Sequence, residues 1–160
     1  MKYRIMLFGP ICLLVLMLTG CAKLAPKPPR PLDEPIPLAS FTFMARGMST
    51  ADIYSYSAEK TPDGTHLHLE LNCGYTVIDV NVDEDILGEL GKIAAKYRLD
   101  AWDGFDKSKK RVSDGEGFTL SITTEDGRSI YAHGSNAFPD GFSEAKAEID
   151  AVFAPYLPQE

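Results

Sequence analysis

Apolar and polar residues alternate through much of the chain from residue 38 to residue 82, as in strands that bury one face of a sheet. The clearest run is 66–71, HLHLEL, where three leucines share one face and His66, His68 and Glu70 share the other. The preceding TPDG, at 61–64, has the residues of a tight turn. We predict further strands at 41–45, 53–57 and 78–82.

Two later segments change to helical spacing. Apolar residues at 86, 90, 93, 94 and 97 form one stripe, and those at 145, 149, 152, 153 and 156 form another. We expect Asp83 and Ser143 to cap the N-termini of these two helices. Between them, 118–123 and 128–133 flank an Asp-Gly pair, which predicts an antiparallel hairpin.

The resulting order, β-β-β-(β)-α-β-β-α, contains hairpins rather than alternating βαβ units. We therefore predict an α+β fold in which an antiparallel β-sheet carries two α-helices packed on one face. A length of 160 residues with 44% hydrophobic and 24% charged residues suits one globular domain with appendages. This composition excludes a polytopic membrane protein and a disordered chain.

The negative net charge of the chain limits the kinds of partner that it can bind. The formal net charge is −7, and general nucleic-acid binding needs basic surfaces that displace counterions. We therefore predict no nucleic-acid partner. Residues 26–37, PKPPRPLDEPIP, contain six prolines, so we expect an extended polyproline II tether there rather than a ligand for an aromatic groove.

The N-terminus has the organisation of an export signal. Lys2 and Arg4 precede an apolar run at 5–17 that Gly9 and Pro10 interrupt. About 20 apolar residues are needed to cross a bilayer as a helix, so this run is typical of a signal peptide rather than of a membrane anchor.

The four residues Leu18, Thr19, Gly20 and Cys21 resemble the lipobox of bacterial lipoproteins. The resemblance implies that diacylglycerol is attached to the Cys21 thiol and that signal peptidase II cleaves between Gly20 and Cys21. It also implies acylation by fatty acids such as palmitate and a place in the cell envelope, outside the cytoplasm. Ala22 follows the cysteine where an aspartate would favour inner-membrane retention, so a Gram-negative host would allow the outer membrane. A Gram-positive host stays open.

The chain accordingly divides into three parts. These are a lipoprotein signal peptide (1–20), a lipidated N-terminus with a proline-rich tether (21–37) and a single α+β domain (38–160). After cleavage, Cys73 is the one cysteine without lipid, which excludes an intramolecular disulfide.

Two irregular segments, 100–116 and 134–142, carry the candidate binding residues. Loops longer than about 12–15 residues are often functional, and rigid aromatic residues on loops are typical of recognition surfaces. The alternative, which we favour, is that the aromatic side chains plug the open end of the core, because large aromatic residues mostly act in packing. The candidate residues are Trp102, Phe105, Asn136, Phe138 and Phe142.

Other chemistry has weaker support. His66 and His68 lie at strand spacing that can chelate a metal, but no motif supplies a third ligand. We therefore predict no metal and no cofactor. The chain contains no G-x-S-x-G nucleophile elbow, and we predict no catalytic residue.

A second resemblance covers about 40 residues. The segments WDGF (102–105), DGEGFTLSI (114–122), DGRSIYAHG (126–134) and NAFPDGF (136–142) are similar to uncharacterised domains of bacterial exported proteins. No activity is attached to these domains, so the resemblance assigns none to this chain. We expect a non-enzymatic envelope lipoprotein that binds an envelope protein or a small ligand. The alternative is an envelope enzyme that acts on cell-wall or extracellular substrate.

Overall fold

A computed structural model describes residues 34–109 and 115–158. The predictions for the signal peptide, the lipobox, Cys21 and most of the tether lie outside these residues. The strands are β1 (Leu38–Arg46), β2 (Tyr54–Thr61), β3 (Gly64–Leu71), β4 (Thr76–Val82), β5 (Asp106–Ser108), β6 (Gly117–Thr124) and β7 (Ser129–Ser135). The helices are α1 (Ile86–Lys96) and α2 (Phe142–Phe153), with short 3₁₀ helices at Thr50–Asp52, Leu99–Trp102 and Ala154–Tyr156.

The described strands form one sheet in the order β4-β3-β2-β1-β6-β7-β5. Six of them pair antiparallel, as predicted, but β5 pairs parallel with β7 and makes the sheet mixed. The predicted hairpin is confirmed as β6 and β7, which are joined through the Asp126–Gly127 turn. The α+β prediction is confirmed, and the strand order places β1 in the middle of the sheet.

The two helices pack against one face of the sheet and against each other. Alternate residues of the central strands point toward them, and Phe43, Leu67, Leu120 and Ile122 are fully buried there. Leu90 of α1 and Ile149 of α2 meet these side chains in a single core. Burial of this apolar surface is the main force that holds helices and sheet together.

The helix caps differ from those predicted. Asp85, rather than Asp83, caps α1, because its carboxylate accepts a hydrogen bond from the Gly88 amide at 3.0 Å. Ser143 lies within α2, which begins at Phe142 after Gly141 in the left-handed conformation. A run of three acids at 83–85 offers several caps of equal chemistry, so the choice depends on where the preceding strand ends.

Core packing begins slightly before the predicted domain boundary at residue 38. Ile36 is buried, and its amide donates a 3.1 Å hydrogen bond to the carbonyl oxygen of Gly91 in α1. Gly91 has no side chain at this contact, and a Cβ there would collide with the carbonyl oxygen of Ile36. The chain that leads into β1 is therefore held against α1.

Candidate functional site

The two predicted aromatic loops meet at one end of the core. Their rings surround Phe118 of β6, whose centroid lies 6.1 Å from that of Trp102 and 4.6 Å from that of Phe142. Phe105 and Phe138 contact the same ring at 6.2 and 6.0 Å. We call this group the aromatic cluster: Trp102, Phe105, Phe118, Phe138 and Phe142.

Burial within the aromatic cluster favours the packing interpretation. Trp102 is 5% exposed and Phe142 is 9% exposed, so neither ring offers a surface to a ligand. Phe138, at 38%, is the most exposed member and stacks on Phe142 at 4.6 Å. The cluster therefore closes the end of the core, and Phe138 forms its outer edge.

Asn136 has a local structural role in this arrangement. It adopts a left-handed conformation with φ 52°, and its amide donates a 2.8 Å hydrogen bond to the carbonyl oxygen of Glu116. Asparagine tolerates this conformation better than most residues. Asn136 thus turns the chain after β7 and joins the two loops.

Part of the predicted loop 100–116 is ordered by backbone pairing. The Gly104 amide donates to the carbonyl oxygen of Tyr131 at 2.9 Å, and the Tyr131 amide donates to the Asp103 carboxylate at 2.9 Å. The His133 amide then donates to the carbonyl oxygen of Phe105 at 2.7 Å. These bonds lead directly into β5 and give the sheet a short, exposed edge.

The two candidate metal-binding histidines lie on the exposed face of β3 in a hydrogen-bond network. The two ring nitrogens of His68 lie 2.8 Å from an Asp79 carboxylate oxygen and 3.3 Å from one of Glu70. The hydrogen bond to Asp79 and, to a smaller extent, the one to Glu70 raise the pKa of His68, because they favour the protonated ring. The His66 ring lies 3.0 Å from the side-chain oxygen of Asn81. Within the described residues, no group of three or more His, Cys, Asp or Glu is arranged to hold a metal ion.

A cavity of about 480 Å³ lies where the chain approaches β1. Its lining includes the apolar residues Ile36 and Leu87 and four acidic residues, Asp83, Glu84, Asp85 and Glu125. Two of its charged groups already have partners, because Asp85 caps α1 and Glu125 pairs with Lys60. The cavity is therefore a consequence of how the incoming chain packs beside two turns.

The sheet face opposite the helices presents a further surface, formed by the outward residues of the central strands. Register across β2, β1, β6 and β7 aligns outward residues in rows, such as Ser57, Thr42, Ser121 and Tyr131. Between Glu59, which pairs with Ser40, and Arg46, which pairs with Gly117, most of these outward residues carry hydroxyl groups and none is Asp, Glu, Lys or Arg. We call this surface the hydroxyl face: Ser40, Thr42, Met44, Ser55, Ser57, Thr119, Ser121, Thr123, Tyr131 and His133.

The hydroxyl face is accessible and only partly bonded within itself. Tyr131 is 52% exposed, and the side chains of Thr42 and Ser57 hydrogen-bond to each other at 2.9 Å. Ser121 is exposed, and its hydroxyl has no hydrogen-bond partner among the described residues. No described helix or strand covers this face. Its alternating Ser and Thr positions were visible in the sequence, but only the register shows that they form one surface.

Comparison of the chain with protein-family models, with curated proteins and with solved structures gives no match. Of the helices in residues 34–109 and 115–158, none has the length and apolar content to cross a membrane.

Proposed function

We propose that the protein is a lipid-anchored, non-enzymatic binding protein of the bacterial cell envelope, with the hydroxyl face as its binding surface. The anchor is supported by the resemblance of residues 18–21 to a lipobox and by the proline-rich segment that follows. The binding role is supported by the geometry of the sheet: within residues 34–109 and 115–158, helices pack on one face and no helix or strand covers the other.

The observation that carries the binding role is the composition of the hydroxyl face. Charged residues form 24% of the chain, yet the ten residues of this face, which lie between Glu59 at one end of the strands and Arg46 at the other, include none. Removing a charge from water is costly unless it is paired, whereas a hydroxyl can exchange water for a new hydrogen-bond partner. A surface that loses its water on binding is therefore expected to lack charges at its centre.

The anchor is tested by lipid labelling and mass spectrometry of the full chain. We expect palmitate incorporation and an N-terminal acylated Cys21 in the native protein, and loss of both in Cys21→Ala. Cys73→Ala is the matched control, because the thiol of Cys73 is exposed and lies on the folded domain. An unmodified Cys21 in the native protein, or a signal peptide still attached to it, would contradict the proposed anchor.

The binding role is tested by thiol accessibility in the native host. A single cysteine is introduced on the hydroxyl face by Ser121→Cys, in a Cys73→Ser background, and labelled with a membrane-impermeant maleimide. We expect slower labelling in intact envelopes than in purified full-length protein, because a partner covers the face. Lys92→Cys, on the exposed side of α1, is the control and should label equally in both. Equal labelling of both variants in both preparations would show that the face is not occupied.

A further inference from the structure

We infer that the hydroxyl face binds a neutral glycan chain, meaning an uncharged polysaccharide or oligosaccharide. This inference rests on the proposed function, since it names the occupant of the same surface. It follows from the side-chain chemistry, the charge distribution and the shape of the face.

The hydrogen-bonding groups match those of a sugar. A Ser or Thr hydroxyl both donates and accepts hydrogen bonds, as sugar hydroxyls do. The side chains of Ser55, Ser121 and Thr123 have no hydrogen-bond partner among the described residues. Short side chains also lose little conformational freedom when they become ordered by a ligand.

Tyr131 adds an apolar contact beside these hydroxyls. Its ring is half exposed and stands in the same row as Ser121 and Thr42. An aromatic ring with a polar tip can pack on the C–H face of a sugar while its hydroxyl stays hydrogen-bonded. The face therefore offers both the polar and the apolar contacts that one sugar ring presents.

The charges around the face argue against other occupants. Phosphates, nucleic acids and anionic headgroups need clustered Arg or Lys, and Arg46 is the one Arg or Lys among the described outward residues of β2, β1, β6 and β7. Glu59 lies at the opposite border, and Glu70 and Asp79 lie on the next strands. These carboxylates, with a net charge of −7, repel anionic polymers. A chain without charge matches the uncharged centre.

A protein partner fits the face less well. The energetically dominant residues of protein–protein interfaces are mainly Trp, Tyr and Arg, whereas Ser and Thr are under-represented. Tyr131 is the one such aromatic residue among the ten, and the other residues are mostly Ser and Thr. The composition therefore favours a ligand that is itself rich in hydroxyl groups.

The shape of the face suits an extended chain rather than a small molecule. Small ligands bind mainly in concave pockets, and the cavity described above is lined by other residues. Four strands at 4.8 Å spacing and five residues along β1 give a surface of about 14 Å by 13 Å. Its width and lack of depth match contacts with several successive sugars of one chain.

The inference is tested with purified full-length protein in detergent micelles on an array of immobilised oligosaccharides. The probes are neutral oligomers of glucose and of N-acetylglucosamine, with uronic acid oligomers as the charged counterpart. We expect retention on at least one neutral series and none on the uronic acids. Tyr131→Ala should weaken that binding about tenfold, equivalent to about 1.4 kcal/mol. Ser121→Asp should weaken it further, because it places an unpaired charge at the centre of the face.

Tyr75→Ala is the matched control, because Tyr75 is 86% exposed and lies outside the face, just before β4. It should leave binding unchanged, and circular dichroism verifies that all three variants are folded. Equal losses in Tyr131→Ala and Tyr75→Ala, or retention on uronic acids as strong as on neutral sugars, would overturn the inference. Protection of Ser121→Cys in envelopes without retention of any neutral sugar would leave the proposed function standing and refute the glycan.

Discussion

The two faces of the sheet are built from the same strands but on different principles. On β6, Phe118 and Leu120 point into the core and are fully buried, while Thr119 and Ser121 between them point away from the helices. The inner face depends on side-chain volume, which fills the space between sheet and helices. The outer face consists mostly of Ser and Thr side chains, with the half-exposed ring of Tyr131 beside them. Stability and recognition are therefore expected to separate by the direction in which a strand residue points.

The largest expected effect comes from Phe118→Ala on the inner face. This change removes the ring at the centre of the aromatic cluster and leaves a cavity, at a cost of about 3–5 kcal/mol in the free energy of unfolding. Thr119→Ala, the next residue on the outer face, should cost less than about 1 kcal/mol. Urea unfolding followed by circular dichroism measures both values. Similar losses at the two positions would refute the proposed separation of the faces.

A smaller effect is expected from a pair of tyrosines on opposite faces. On the inner face, the Tyr54 hydroxyl donates a 2.8 Å hydrogen bond to Asp150 of α2. Asp150 keeps its contact with Lys146 when this bond is lost, so Tyr54→Phe should cost about 1 kcal/mol.

Tyr131→Phe is the matched change on the outer face and should alter stability by less than about 0.5 kcal/mol. Thermal unfolding of the two variants gives the comparison. A larger loss in Tyr131→Phe than in Tyr54→Phe would mean that the outer face also contributes to stability.

The smallest effect concerns the protonation of His68 beside the hydroxyl face. Asp79 and Glu70 raise the pKa of His68, so protonation favours the folded state. This contribution is present below the ordinary histidine value of 6.5 and is lost as the pH rises through the raised pKa. Asp79→Asn should therefore move the His68 pKa back toward its ordinary value in an NMR titration.

Glu125→Gln is the control for this titration. It also removes one carboxylate, but the Glu125 carboxylate pairs with Lys60 and not with His68. It should leave the His68 titration unchanged. An Asp79→Asn protein in which His68 titrates as in the native chain would show that the contact between the two side chains has no electrostatic effect.

The regular part of the fold was accessible from sequence because periodicity reports which side of an element is buried. The HLHLEL run placed its three leucines inward, and two of them, Leu67 and Leu69, are fully buried. The stripe from residue 86 likewise predicted α1 closely. In both cases the local pattern of apolar residues and the packing of the whole domain bury the same side chains.

Features that depend on pairing between strands distant in the chain could not be predicted from the sequence. The three residues of β5 are exposed and show no apolar alternation, so their parallel pairing with β7 rests on backbone hydrogen bonds alone. The hydroxyl face could not be predicted for the same reason. Its Ser and Thr residues could be read strand by strand, but the alignment of Thr42 with Ser57 and Ser121 depends on register.

The position of β1 has a mechanical consequence for the proposed anchored protein. Any pull from the membrane reaches the domain through Ile36 and then through the start of β1, which is bonded to β2 on one side and β6 on the other. Because β1 is paired along both edges, such tension acts on two ladders of backbone hydrogen bonds rather than on one. β1 therefore leaves the sheet only when both ladders break, whereas an edge strand such as β4 is held by one.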